Sequence, residues 1–299
     1  MRAALVALLL VATPALAADY AAEIQAWRDR REAGLKADGG WLTVAGLFWL
    51  KQGENRFGSD SANDIVLPAS APARAGVFEL RHGETRFRLE PGVVGGIAGQ
   101  MATTGVLRPD TAGEPGVLTM GRLTMHVIVR GGQFGIRLKD NDNARRKSFA
   151  GLKWFPVRES YRVQAKWMPY AAPAKLPIPN VLGRVESMLS PGFAVFTLNG
   201  RQLRLDPVLE EEGADELFFI FSDATARKET YGGGRFLYSD LPKDGQVVLD
   251  FNKAYSPPCA FTDFATCPLP PKQNRLPLRI EAGELSQASH EVAAAPRRN

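Results

Sequence analysis

From residue 41 to residue 150 the chain is a series of short apolar and polar alternations broken by turn residues: WLTVAGLFWL, DIVLP, GVFELRHGETRFRLEPG and GVLTMGRLTMHVIVRGGQFGIRLKD. The breaks recur about every ten residues, a spacing that suits strands of five or six residues joined by tight turns. This pattern predicts a β-sandwich or barrel. A second such region opens beyond residue 183, where FAVFTLNGRQLRL sets Asn199-Gly200 between two apolar runs. Asn-Gly accepts positive φ at both positions of a two-residue turn, so a hairpin is expected there. ELFFIF, GRFLY, QVVLDF and PLRIEAG continue the second region.

The expected fold class is therefore mainly β, with two packed β regions preceded by one amphipathic helix. The helix is placed over 18–40, where Ile24, Trp27 and Leu35 recur among charges and Asp38-Gly39-Gly40 ends the run. An N-terminal β-sandwich is placed over 41–150 and a C-terminal β-barrel or sandwich over 183–285. Between them, residues 151–182 hold five prolines from Pro156 to Pro179, which predicts a connector without a long regular element. The tail, 286–299, is small and polar and is expected to fray.

The first residues speak to compartment. Arg2, an apolar stretch from Ala3 to Ala12 and then Ala15-Leu16-Ala17 make a secretory signal peptide over 1–17, with cleavage expected after Ala17. The apolar stretch is too short to span a bilayer, and no later one approaches eighteen uninterrupted apolar residues, so no membrane span is expected. The mature protein is expected in the periplasm or outside the cell. Losing Arg2 lowers the net charge of +5 to +4, and the lysines and arginines are scattered, so nucleic acid is not an expected partner.

Both cysteines, Cys259 and Cys267, lie in DFNKAYSPPCAFTDFATCPLPPKQNRL. In an oxidising compartment a disulfide is the default reading, with reactive thiols and a metal site as the alternatives. Zinc would need further ligands, and His82, His126 and His290 do not stand at ligand spacing from the cysteines, so no metal is expected. Closing so short a loop would stabilise the fold by about 2 to 3 kcal/mol. Pro257, Pro258, Pro268, Pro270 and Pro271 stiffen both sides of the bridge. Such a loop suits a site wall and equally a plug over a sheet edge.

Candidate ligand-binding residues flank this loop. Gly232, Gly233 and Gly234 between Tyr231 and Arg235 permit a close backbone approach or a hairpin bend, and no phosphate-loop Gly-Lys-Ser/Thr follows them. Asp250 and Asn252 leave an extended strand on one side. With Tyr231, Arg235, Asn274 and Arg275 they form a candidate polar cluster at one end of the second region. A carboxylate beside arginines is more often an ion pair than a general base. The chain has no complete catalytic motif: Gly-x-Ser-x-Gly, Ser-x-x-Lys and His-Glu-x-x-His are absent. No cofactor is expected. KDNDNARRKSF begins like a calcium loop but has Arg145 where that loop needs glycine, so it reads as a turn with an Asp or Asn cap.

GWLTVAGLFWLKQGENRFGSDSANDIVLP, DATARKETYGGGRFLY and the cysteine-proline stretch through GE284 together resemble a bacterial and archaeal family of exported or soluble proteins known as a domain of unknown function. The resemblance spans about Trp27 to Glu284 and implies no reaction. NRFGSDSANDIVL is also similar to the opening of forkhead-associated domains, β-sandwiches that bind phosphothreonine. Ser59, Pro72 and Ala75 stand where that family has its phosphate-binding arginine, serine and histidine. The likeness thus implies a sandwich and speaks against phosphopeptide binding.

Three functions stay open. The first is a binding protein of the cell envelope, taking an unknown small molecule or an envelope protein at the stapled end of its second region. The second is a carboxylate-based hydrolase or lyase with Asp250 as base and Arg235 with Tyr231 stabilising negative charge. The third is an envelope structural or assembly factor with an exposed apolar patch, to which the aromatics of WLTVAGLFWL would contribute if they were not core.

Overall fold

The computed structural model describes residues 14–287, with side chains from residue 18. Most of 1–17, where a signal peptide is expected, and of the tail 286–299 lies outside the described residues. One helix, α1 (Pro14–Lys36), comes first, and strands dominate the rest of the chain. The buried stripe of α1 contains Ile24 and Leu35, as the apolar spacing predicts, with Trp27 half-buried, and adds Tyr20 and Arg28. The Arg28 guanidinium lies 4.8 Å over the Trp154 ring and donates to the Phe155 carbonyl at 2.9 Å.

Eleven strands build the N-terminal unit in two sheets. The first joins β1 (Val44–Trp49), β6 (Gly96–Ile97), β7 (Gln100–Met101), β9 (Val117–Met120), β10 (Leu123–Arg130) and β11 (Gln133–Asp140) in the order β1-β11-β10-β9-β6-β7. The second joins β2 (Gly53–Gly58), β3 (Ile65–Val66), β4 (Gly76–Arg81), β5 (Glu84–Leu89) and β8 (Thr104–Leu107) in the order β3-β2-β4-β5-β8. The two sheets share one core, with Phe57, Phe78 and Phe87 from one meeting Met125, Val127 and Ile136 from the other, so they pack as a sandwich. Strand β5 shows the alternation most plainly, with Thr85, Phe87 and Leu89 buried and the residues between them exposed.

The C-terminal unit has a four-stranded sheet, β14 (Arg201–Leu205), β13 (Val185–Leu198), β12 (Arg162–Pro179) and β17 (Gln246–Asp250), in that order. A two-stranded sheet of β15 (Glu216–Phe221) and β16 (Arg235–Asp240) packs on it. None of these sheets closes into a barrel. The expected hairpin joins β13 to β14, with Asn199 at φ 51° and Gly200 at φ 72°. The expected connector differs, because residues 162–179 form one 18-residue strand. Pairing with β17 covers only Arg162 to Lys166, so Pro169, Pro173 and Pro177 fall where β13 is the sole neighbouring strand, while the Pro179 carbonyl also accepts from the Leu269 amide at 2.7 Å. A proline missing its N–H is tolerated along such an open edge. The register shifts between Pro169 and Ala174.

The far end of the β12–β13 ribbon reaches the N-terminal unit. Arg184, in its turn, donates to the Arg130 carbonyl at 2.6 Å and lies 5.8 Å over the Trp49 ring. The β15–β16 hairpin is buried on both faces, which is why ELFFIF reads as a continuous apolar run. Leu217, Phe219, Phe221 and Leu237 enter the C-terminal core, while Phe218, Ile220 and Phe236 look the other way.

Candidate functional site

The six polar residues flanking the cysteine loop do not converge. Arg235 is 1% exposed, and its guanidinium meets Asp223 at 3.2 Å, the Ile280 carbonyl at 3.1 Å and the Ala282 carbonyl. Asp223 is itself held by the Thr225 hydroxyl at 2.7 Å and the Ile280 amide at 2.6 Å. Asn274 is a backbone clamp: its amide donates to the carbonyls of Asp206 at 2.8 Å and Ile220 at 2.9 Å and accepts from the Asp206 amide at 2.9 Å. Arg275 is exposed and its backbone bridges Ser222. The Tyr231 hydroxyl donates to the Cys259 carbonyl at 3.2 Å. Burial and the neighbouring cysteines push its pKa up.

The glycines beside Tyr231 serve packing. A Cβ on Gly234, at φ 93°, would sit 2.5 Å from Pro270 and 2.6 Å from the Phe221 carbonyl. In KDNDN, Asn143 caps α2 (Ala144–Ser148) by accepting from the Arg145 amide at 3.0 Å.

Asp250 and Asn252 do sit together, with the Tyr20 hydroxyl between α1 and the sheet. Tyr20 donates to Asp250 Oδ1 at 2.8 Å, and the Asn252 side chain donates to Tyr20 at 2.9 Å. Burial, followed by the bond to Asp250, raises the Tyr20 pKa. Asp250 lines an open cleft of about 1030 Å³, and its Oδ2 is buried without a hydrogen bond. Arg235 and Tyr231 do not line that cleft, so the carboxylate scheme with those two stabilisers is not assembled.

A second, smaller cavity, of about 370 Å³, lies between the two β units. The cysteine loop walls it, through Tyr255, Pro258, Thr266, Cys267 and Pro268. Cys259 and Cys267 stand as free thiols, with the Cys259 amide donating to Cys267 Sγ at 3.2 Å. Burial raises the Cys267 pKa, while the hydrogen bond with Cys267 lowers that of Cys259. Phe218, Phe236 and Tyr238 give a second wall from the outward face of the β15–β16 hairpin. The third wall is the outer face of the first sandwich sheet, where Arg130 and Arg137 project.

Arg137 stands out chemically. It is 5% exposed, yet among the described residues no carboxylate forms an ion pair with it. Its Nε is buried without an acceptor, and Nη2 has one long contact, 3.5 Å to the Thr266 hydroxyl. Its guanidinium lies 5.1 Å over the Trp41 ring. Burial and the charge of Arg130 lower its pKa to about 10. The same face carries His126, opposite Arg137 in the ladder, and Lys139, both buried or partly so. His126 is pushed down to about 4, first by burial and then by Lys139 and Arg137.

The other two arginines of the cavity are compensated. Arg130 pairs with Asp110 at 2.8 Å, and Arg31 approaches Glu284 at 3.7 Å while stacking 4.4 Å over Tyr255. Arg137 is not among the residues that the sequence pattern singles out. The signal was present in GIRLKD, where Ile136 and Leu138 point into the sandwich and Arg137 and Lys139 away from it.

Residues 147–285 match the family described as Protein of unknown function (DUF1684). The chain belongs to this family. The DUF1684 segment supplies the cysteine loop and the β15–β16 wall, whereas Arg31, Trp41, Arg130 and Arg137 precede it. An uncharacterized protein from gene locus rrnAC0354 of Haloarcula marismortui, solved by solution NMR, is 32% identical, with 48% of this chain and 81% of that one covered and a TM-score of 0.41. No curated protein matches the chain. Among the described residues no helix is long and apolar enough to cross a membrane, and no three His, Cys, Asp or Glu side chains gather as a metal set.

Proposed function

We propose that the protein is an exported binding protein of the cell envelope that holds a small organic anion in the cavity between its two β units. The carrying observation is Arg137, a buried guanidinium that lines the cavity with no carboxylate partner among the described residues. Withdrawing an unpaired charge from water costs several kcal/mol even after relaxation, and an anionic ligand is the group that offsets this cost. The leader residues Arg2, Ala3 to Ala12 and Ala15-Leu16-Ala17 support export. In that compartment oxidation would join Cys259 to Cys267, already adjacent, and stiffen the cavity's loop wall.

The test is the melting temperature of protein purified from the periplasm of an expressing bacterium, read against a panel of organic and inorganic anions. Binding to the folded state raises the melting temperature. A rise that Arg137→Gln abolishes supports the reading. A melting temperature that no anion moves overturns it, and retention of residues 1–17 in the purified chain overturns export.

A further inference from the structure

Resting on that reading, the cavity's own inventory narrows the ligand. We propose that the site takes a carboxylate of single negative charge on a flat ring, with a protonated amine at the end of the ligand that faces the mouth.

The charge follows from the pairs already made. Arg130 pairs with Asp110 at 2.8 Å and Arg31 has Glu284 at 3.7 Å, which leaves Arg137 as the cavity arginine with no carboxylate at ion-pair distance among the described residues. One free positive charge matches a carboxylate. A phosphate group, carrying about −1.5 to −2 at neutral pH, would bring more negative charge than the site balances. The guanidinium is also a planar fork, the geometry that matches a carboxylate with two parallel hydrogen bonds.

The flat body follows from the walls. Phe218 stacks on Tyr238 with centroids 4.8 Å apart and planes 16° apart, Tyr255 lies nearly parallel to Tyr238 at 12°, and Trp41 lies beneath Arg137. Rings prefer ring partners in offset or edge contact, and the volume of about 370 Å³ holds a one- or two-ring molecule.

The amine follows from two carboxylates on the cavity lining. Glu186 is half-buried and accepts from the Asn180 side chain at 3.1 Å; Glu210 is exposed and accepts from the Tyr238 hydroxyl at 2.7 Å. Neither has an ion-pair partner among the described residues, and both belong to the C-terminal wall that faces Arg137. A buried cation on one side and a half-buried and an exposed acid on the other give the site a direction.

The experiment compares benzoate, 4-(aminomethyl)benzoate, benzylamine and inorganic phosphate by isothermal titration calorimetry on the mature protein. Benzoate is expected to bind, 4-(aminomethyl)benzoate about threefold to fivefold more tightly as one partly solvated ion pair allows, and benzylamine and phosphate not measurably. Replacing both acids, Glu186→Gln with Glu210→Gln, is expected to remove the advantage of the amine and leave benzoate affinity in place. Arg137→Gln is expected to weaken both carboxylates at least about thirtyfold. Should that variant fail to fold, Arg137→Lys keeps the charge without the fork and is expected to bind benzoate more weakly than the parent. Phosphate binding more tightly than benzoate, or an amine advantage absent or indifferent to the acid replacements, overturns this ligand class while leaving an Arg137 anion site standing. Silence of the parent protein toward every anion overturns the site itself.

Discussion

Arg235 and Arg137 are both buried arginines on strands, and they could hardly be set up more differently. Around Arg235 the fold supplies Asp223 as counter-charge, two carbonyls as acceptors, and a Thr225 hydroxyl and an Ile280 amide that hold Asp223 in turn, although its Nε, like that of Arg137, is buried without an acceptor. Around Arg137 the fold supplies a tryptophan face and one long contact to Thr266. The first arrangement ties β16 to the C-terminal segment that ends near Glu284. The second leaves an unmet demand at the wall of a cavity. Burial alone therefore does not distinguish a structural arginine from a binding one; the presence of a counter-charge supplied by the fold does.

That contrast can be tested by removal, beginning with the largest expected effect. Arg235→Met leaves Asp223 buried without its counter-charge and is expected to cost about 3 to 5 kcal/mol in urea unfolding, or to prevent accumulation of soluble protein. An effect below about 1 kcal/mol would erase the distinction. Asn274→Ala strands two carbonyls and an amide in the interior and is expected to cost about 2 to 4 kcal/mol by the same measurement. That outcome would mark Asn274 as part of the Arg235 type of construction.

The Arg137 face has a pH signature. His126 takes its proton near pH 4 when folded and near its ordinary 6.5 when unfolded. The unfolded chain therefore binds the proton first as pH falls, so stability is held above about 6.5 and lost progressively down to about 4. The loss attributable to His126 is expected to reach about 3 kcal/mol, and His126→Asn should flatten it in unfolding curves taken across that window. The smallest effect is expected for Arg137→Met, whose ligand-free stability should be unchanged or raised by about 1 kcal/mol, since an unpaired buried charge gives way to an apolar side chain of similar length. A loss as large as that of Arg235→Met would show that Arg137 is structural after all.

The sequence reveals most where the cause is local. Asn199-Gly200 specifies its turn because two adjacent residues accept positive φ, and Thr85, Phe87 and Leu89 declare a half-buried strand by period alone. It misleads where the cause is a neighbour's placement. The prolines of 169–177 look like a broken connector until the pairing shows that one edge of β12 is open along that length. The polar cluster fails for a related reason. Tyr231, Arg235, Asp250, Asn252, Asn274 and Arg275 are the residue types from which sites are made, but a buried carbonyl or carboxylate can claim the same groups, and only packing decides which does. Arg137 is the converse case. Its strand places it outward from the sandwich, and nothing near it in sequence indicates that residues 178–268 will come to cover that face.

The β12–β13 ribbon has a mechanical reading. Its base is woven into the C-terminal sheet, and its tip is fastened by Arg184 to the turn that joins β10 and β11, where Arg130 ends one strand and Arg137 lies on the next. The cavity is therefore spanned by a beam anchored at both ends, with its one irregular joint between Pro169 and Ala174. A load that separates the two β units is shared between this beam and the cysteine loop, whose Thr266 and Asp263 meet Arg130 and Arg145. That joint is where the ladder between β12 and β13 is interrupted, so the half of the ribbon that walls the cavity is set off from the half woven into the sheet.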